Sequence, residues 1–311
     1  MTRDELLSTL AGLRQARIGA HRAPHKPLLV LWLLGRFVTL GSTAVTYDEA
    51  EGPVSRLIND FGPAMTNPSQ AKQRAAMPFV HLERTLWDLW DLWDSGGRPI
   101  PPTDPDRGGW LRAHGAHGRM RPEVERLLAD PGAVAAAAGL LLQQHFTPAL
   151  EAPICDAVGL EVTSWAAHAI SVPGQRVQRV RRPGFVEDVL HAYAYACAFC
   201  GFDGAIGRNP VGVEAAHVRW HSQGGPDVVS NGLALCSLHH ALFDLGVLGL
   251  GPDLRIQVSR WYVACSTAGQ AVDALHGRRV AAPRPGHSAI GAQYVDWHQR
   301  QVFKRPAAHA A

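Results

Sequence analysis

The sequence predicts an α+β protein. A mainly helical N-terminal domain with a short β-hairpin precedes a smaller C-terminal unit ordered strand, loop, strand, helix. Three observations predict this. Apolar runs at helical spacing fill the first half, the densest being HKPLLVLWLLGRFVTL from His25 to Leu40. A Pro-, Gly- and Arg-rich stretch, SVPGQRVQRVRRPG (171–184), then interrupts the chain. Beyond it, three of the five cysteines fall in one segment at metal-ligand spacing. The resulting division is a domain over 1–165, an Arg-rich linker over 166–184, a second domain over 185–276 and a tail over 277–311.

The elements follow in order. Residues 2–17 read as an amphipathic helix opened by a Thr2-x-x-Glu5 capping box. A turn over 18–24 leads to the helix from His25 to Leu40, with Pro27 tolerated in its first turn. A third helix covers Tyr47 to Phe61, and Gly62, Pro63, Asn67 and Pro68 mark the loop after it. The Leu-Trp-Asp triplets of MPFVHLERTLWDLWDLWDSGG fit neither helical nor strand period. Two short strands, Phe79–Leu82 and Leu86–Trp93, are expected there. Residues 95–109 form a loop, and helices cover Arg121–Leu128, Pro131–Gln144 and Thr147–Val158. The linker holds Arg176, Arg179, Arg181 and Arg182, and the tail contains one denser piece, YVDWHQRQVFKRP.

Composition narrows the class. The chain has 311 residues, 46% hydrophobic and 18% charged, enough to bury a core. No apolar run approaches the roughly 20 residues of a membrane span. The opening MTRDELLSTLAGLRQAR lacks the basic-then-apolar plan of a secretion signal, so a cytoplasmic protein is expected. Net charge is only +3, but the cations are nearly all Arg, the lysines being Lys26, Lys72 and Lys304. Arg forks onto phosphates and guanine edges, although a GC-rich coding bias yields the same composition. Five cysteines in a chain of this length argue against a disulfide framework, and 16 histidines invite a search for metal sites.

Cys197-Ala-Phe-Cys200 is a Cys-x-x-Cys pair and Cys236-Ser-Leu-His239 a Cys-x-x-His pair. Two such knuckles close a tetrahedral structural zinc site. A lone pair would read better as buried core cysteine; the second pair favours zinc. Between the knuckles, a strand over Val211–Val218 contains His217. Gly224-Gly225-Pro226 and Asn231-Gly232 turn the chain, and Cys236–Leu245 reads as a helix.

His217, Asn231 and His240 in that strand–loop–strand–helix order resemble the HNH endonuclease family, whose fold is a ββα unit gripping one divalent cation. Asn231-Gly-Leu-Ala-Leu-Cys236-x-x-His-His240 followed by Phe243-Asp244 looks like the branch found in modification-dependent restriction enzymes. The resemblance implies His217 as general base and His240 as ligand of a catalytic cation, Mg²⁺ or Mn²⁺. It also implies that Asn231 bridges the loop and orients His217. Many family members carry Asp or His just before the general base, where this chain has Ala216. Glu214 shares a strand face with position 216, and Asp244 lies one helical turn after His240. Asp244 is the preferred second ligand, with Glu214 and water as the alternatives.

In the first domain, His21-Arg22-Ala-Pro-His25-Lys26-Pro27 stands with the Gly62-Pro63 loop, Pro78-Phe79 and the LLLQQHFTPAL helix. Together they resemble the sulfur-binding domain of phosphorothioate-dependent McrA-type restriction endonucleases. That resemblance implies double-stranded DNA as partner, with sulfur replacing a non-bridging phosphate oxygen. Met77, Pro78 and Phe79 are expected to shape an apolar cup for the sulfur. Arg22, His25 and Lys26, at a helix start, are expected to grip phosphate. A homodimer on DNA is expected, because one ββα site cuts one strand. The rival readings are an HNH nuclease reading another modification, such as 5-methylcytosine, and a non-catalytic zinc DNA-binding module.

Overall fold

The computed structural model describes residues 1–13, 17–18, 21–22, 24–63, 67–82, 89–160, 184–207 and 209–304. They fall into two compact units, Met1–Arg176 and Val177–Ala311. Among them no helix is long and apolar enough to cross a membrane. The Arg-rich linker lies largely outside the described residues.

The first unit is built around the helix His25–Leu40, whose residues Leu28–Leu31, Leu33 and Leu34 are buried. It is apolar on nearly every side because other helices pack around it, including Tyr47–Phe61, Ala76–His81, Pro131–His145 and Pro148–Val158. Gly35 permits one of these approaches: a Cβ there would overlap the Val158 carbonyl. The first helix carries the expected Thr2–Glu5 capping box but stops at Ala11. Pro122–Leu128, Pro131–His145 and Pro148–Val158 each start on proline, where no amide hydrogen is needed.

A three-stranded antiparallel sheet sets His117–Met120 between Val45–Thr46 and Trp90–Trp93. The strand expected at Phe79–Leu82 is instead helix, Ala76–His81. Ala76, Pro78, Phe79 and Val80 are all buried, so the segment shows no polar face from which a helical period could be read. The second expected strand survives as Trp90–Trp93; residues 83–88 are outside the description.

In the second unit, the helix Phe185–Ala192 packs on the hairpin Val213–His217/Gly232–Cys236, which leads into the helix Ser237–Asp244. A second hairpin pairs Leu248–Leu250 with Ile256–Val258. The segment read as a tail is part of this unit. Helix Ala292–Gln301 buries Val295, Trp297 and His298. His298 stacks on Phe243 at 3.7 Å and 8°, and its Nε2 donates to the Phe243 carbonyl at 3.0 Å. The surrounding Pro and Ala masked this helix in the sequence.

Candidate active site

The two knuckles meet. Cys197, Cys200, Cys236 and His239 place one donor atom each within 4.8 Å of the others. His239 Nδ1 lies 3.2 Å from Cys236 Sγ and 3.5 Å from Cys197 Sγ. Zinc bonds of about 2.3 Å to sulfur and 2.0 Å to nitrogen span such edges, so the donor set fits tetrahedral zinc. The first knuckle turns on Gly201 at φ +80°, whose N–H donates to the Cys197 carbonyl at 2.8 Å. Ala198 N–H donates to Ala234 O at 2.7 Å, tying this knuckle to the strand that bears the second.

Burial pushes the Cys197 thiol up, but hydrogen bonds from His239 and from backbone amides outweigh it and bring it to about 6. Burial, with the neighbouring negative sulfur, raises Cys200 to about 12 and also raises Cys236. One thiolate thus forms readily and opposes the next, the electrostatics that a dication relieves.

His217 closes its strand and is buried. Its ring stacks on Phe185 at 4.3 Å and 19°, and Nε2 lies 2.8 Å from Asp227 Oδ1. Asn231 is fully buried, and its side chain closes the intervening loop. Its Oδ1 accepts from Arg219 N at 2.8 Å, and its Nδ2 donates to the carbonyls of Arg219 and Pro226, both at 3.0 Å. Gly225 is required beside it, since a Cβ there would overlap the Arg219 carbonyl and crowd Asn231 Nδ2. Asn231 therefore bridges the loop as expected, but its bonds go to backbone. The ring of His217 is held by Asp227 and Phe185 instead. Nothing in local spacing marks Asp227; it reaches His217 only because the loop folds back.

His240, in the first turn of its helix, lies between two carboxylates. Nδ1 is 2.7 Å from Glu214 Oε2, and Nε2 is 3.3 Å from Asp244 Oδ2. Ser237 Oγ donates to the other Glu214 oxygen at 2.6 Å, and Trp220 Nε1 to the other Asp244 oxygen at 3.0 Å. Burial alone would pull His240 down; Asp244 and then Glu214 outweigh it and hold its pKa above the ordinary value. The carboxylates sit on opposite ring nitrogens. The Glu214 side chain, on the Nδ1 side, is 50% exposed, and that of Asp244, on the Nε2 side, only 1%.

In the first unit two expectations are corrected. His25 is buried and pairs through Nε2 with Arg74 Nη2 at 3.1 Å. Burial first, and the Arg74 charge second, push its pKa down to about 3, so it stays neutral and serves as acceptor rather than phosphate grip. Phe79 is fully buried in edge-to-face contacts with Tyr47 (5.3 Å) and Trp90 (5.4 Å), a core role that leaves no face for a cup. Pro78 is buried and Met77 partly exposed on the same short helix. Lys26 is largely covered, and Arg22 lies in a two-residue strand paired with Arg17. Arg74, which the sequence reading passed over, ties the start of helix His25–Leu40 to the Ile58 and Pro63 carbonyls at 3.2 and 2.7 Å.

A knuckle-clamped ββα unit with His, Asn and His at these stations defines the HNH endonuclease class, and the HNH endonuclease family profile matches residues 197–250. The profile of the ScoMcrA-like DNA sulfur-binding domain matches residues 3–163, and the chain belongs to that family. Among solved structures, the modification-dependent TagI restriction endonuclease aligns at 25% identity and TM-score 0.31, over 45% of this chain and 43% of its own. The present chain thus spans less than half of that protein. The sulfur-binding domain of SprMcrA complexed with phosphorothioated DNA aligns at 19% identity and TM-score 0.42, over 51% and 95%. That of ScoMcrA, likewise complexed, aligns at 25% and 0.38, over 50% and 94%. Comparison with curated proteins returns no match.

Proposed function

We propose that this chain is a modification-dependent restriction endonuclease that binds phosphorothioated double-stranded DNA and hydrolyses phosphodiester bonds nearby. The observation carrying this reading is the pairing, in one chain, of a sulfur-binding domain with an HNH unit whose Cys and His cluster could hold zinc. A divalent cation, Mg²⁺ or Mn²⁺, held by His240 and Glu214 would absorb charge on the phosphate and the leaving oxygen. His217 takes the proton of the attacking water. Asn231 keeps the loop around it rigid, and Asp244 steadies His240 from the buried side. Cys197, Cys200, Cys236 and His239 hold zinc and so fix the start of the helix bearing His240.

For recognition, sulfur is larger and less hydrated than oxygen, so the partly exposed Met77, backed by the buried Pro78, favours it while Arg22, with the largely covered Lys26, meets the remaining phosphate charge. Cutting both strands calls for two chains on DNA or two successive nicks. The cytoplasm, where DNA is accessible, is the place of action.

The test compares binding of one duplex with and without a single phosphorothioate at fixed salt, because arginine contacts to backbone are salt-dependent. At least about a tenfold preference, roughly 1.4 kcal/mol, is expected for the modified duplex. Equal affinities would reject sulfur reading in favour of another mark, with a 5-methylcytosine duplex as the direct comparison. Absence of Mg²⁺- or Mn²⁺-dependent plasmid cleavage would leave a zinc DNA-binding module.

A further inference from the structure

We infer that Asp227 is a positioning residue that selects the tautomer of His217, making Nδ1 the nitrogen that accepts the proton. The inference rests on the nuclease reading for its catalytic consequence, but not for its geometry. Three observations support it. First, the Asp227 and His217 side chains are 9% and 7% exposed and meet at 2.8 Å through Nε2. An ionised carboxylate only accepts, so Nε2 carries the hydrogen and the neutral ring's lone pair is on Nδ1. Second, Asp227 sits on a braced segment: Pro226 O accepts from Asn231 Nδ2 at 3.0 Å and from Val228 N at 3.1 Å. Third, stacking on Phe185 sets the plane of the ring, so the carboxylate needs only to set its rotation.

A second imidazole shares this carboxylate. His221 Nε2 lies 3.9 Å from Asp227 Oδ2, and the two rings are 5.7 Å apart. Asp227 therefore stands between the base and a neighbouring histidine.

In the step this geometry serves, the water oxygen bonds to phosphorus while its proton passes to Nδ1. The ester P–O bond breaks, and the leaving oxygen keeps the electron pair and later takes a proton from solvent. The imidazolium so formed keeps its Nε2–H on Asp227, whose charge stabilises it.

The experiment uses the full chain, labelled with ¹⁵N-histidine and assigned by comparison with His217→Gln. Long-range ¹H–¹⁵N spectra should show His217 as the Nε2–H tautomer in the wild type. In Asp227→Asn the amide can present N–H instead, so the tautomer should become mixed or reversed. Cleavage should fall on the order of 10²-fold with DNA affinity unchanged. The rising limb of the pH–rate profile should move about one unit lower, because the imidazolium has lost its counter-charge. A merely structural role would lower the rate without moving that limb. A wild-type His217 protonated on Nδ1, or an unchanged tautomer and limb in Asp227→Asn, overturns the inference. The predicted tautomers in a wild type that cuts no DNA would uphold the role of Asp227 and sink the nuclease reading instead.

Discussion

Stripping the zinc with a chelator, or replacing Cys197 by Ser, is expected to melt the second unit while the first stays folded. Cys197, Ala198 and Phe199 of the first knuckle are buried in the same apolar core as Leu233, Phe243 and Leu248, so releasing the knuckle from its metal loosens that core. Zinc in small knuckled domains contributes on the order of 10 kcal/mol, comparable with the whole stability of a domain. Even a loss of about 3 kcal/mol would lower the melting temperature of a unit this size by roughly 10–20 °C. Calorimetry should resolve two transitions in the holoprotein and shift only one on chelation. Elemental analysis should find one zinc per chain, lost in the Cys197→Ser variant. A metal-free wild type with an unshifted second transition would refute the clamp.

His217→Ala is expected to reduce metal-dependent cleavage by about 10³-fold, within the range attributable to one general base. Affinity for phosphorothioated duplex should be unchanged, since the reading surface belongs to the other unit. Single-turnover cleavage and a parallel binding titration separate the two effects. A variant that cuts at the wild-type rate would remove His217 from the chemistry.

The parts of the site legible in the sequence were those written in short spacings. Cys-x-x-Cys, Cys-x-x-His and the Asn231–His240 interval are local, and local geometry followed from them. Helices with a Pro at the first position or an unbroken apolar run, such as Pro131–His145 and His25–Leu40, were equally plain. What escaped depends on contacts between distant residues. Asp227 meets His217 only through loop closure, and Arg74 meets His25 across nearly fifty positions. The unequal exposure of Glu214 and Asp244 on either side of His240 is likewise not encoded in spacing. Helix Ala76–His81 was missed because four of its six residues are buried, which leaves too little polar contrast to show a helical period.

The placement of Trp297 and His298 bears on how such an enzyme is made safely. The HNH match ends at residue 250, yet Trp297 packs edge-on against Trp220, whose indole holds Asp244, and His298 stacks on Phe243 of the helix that carries His240. A nascent chain that has just exposed its whole motif therefore still lacks the struts beneath it, and emerges from the ribosome with its cutting edge unset. Ribosome-arrested chains ending near residue 290 should show no nicking activity, whereas chains extended past Lys304 should acquire it; equal activity in both would show that the struts are dispensable.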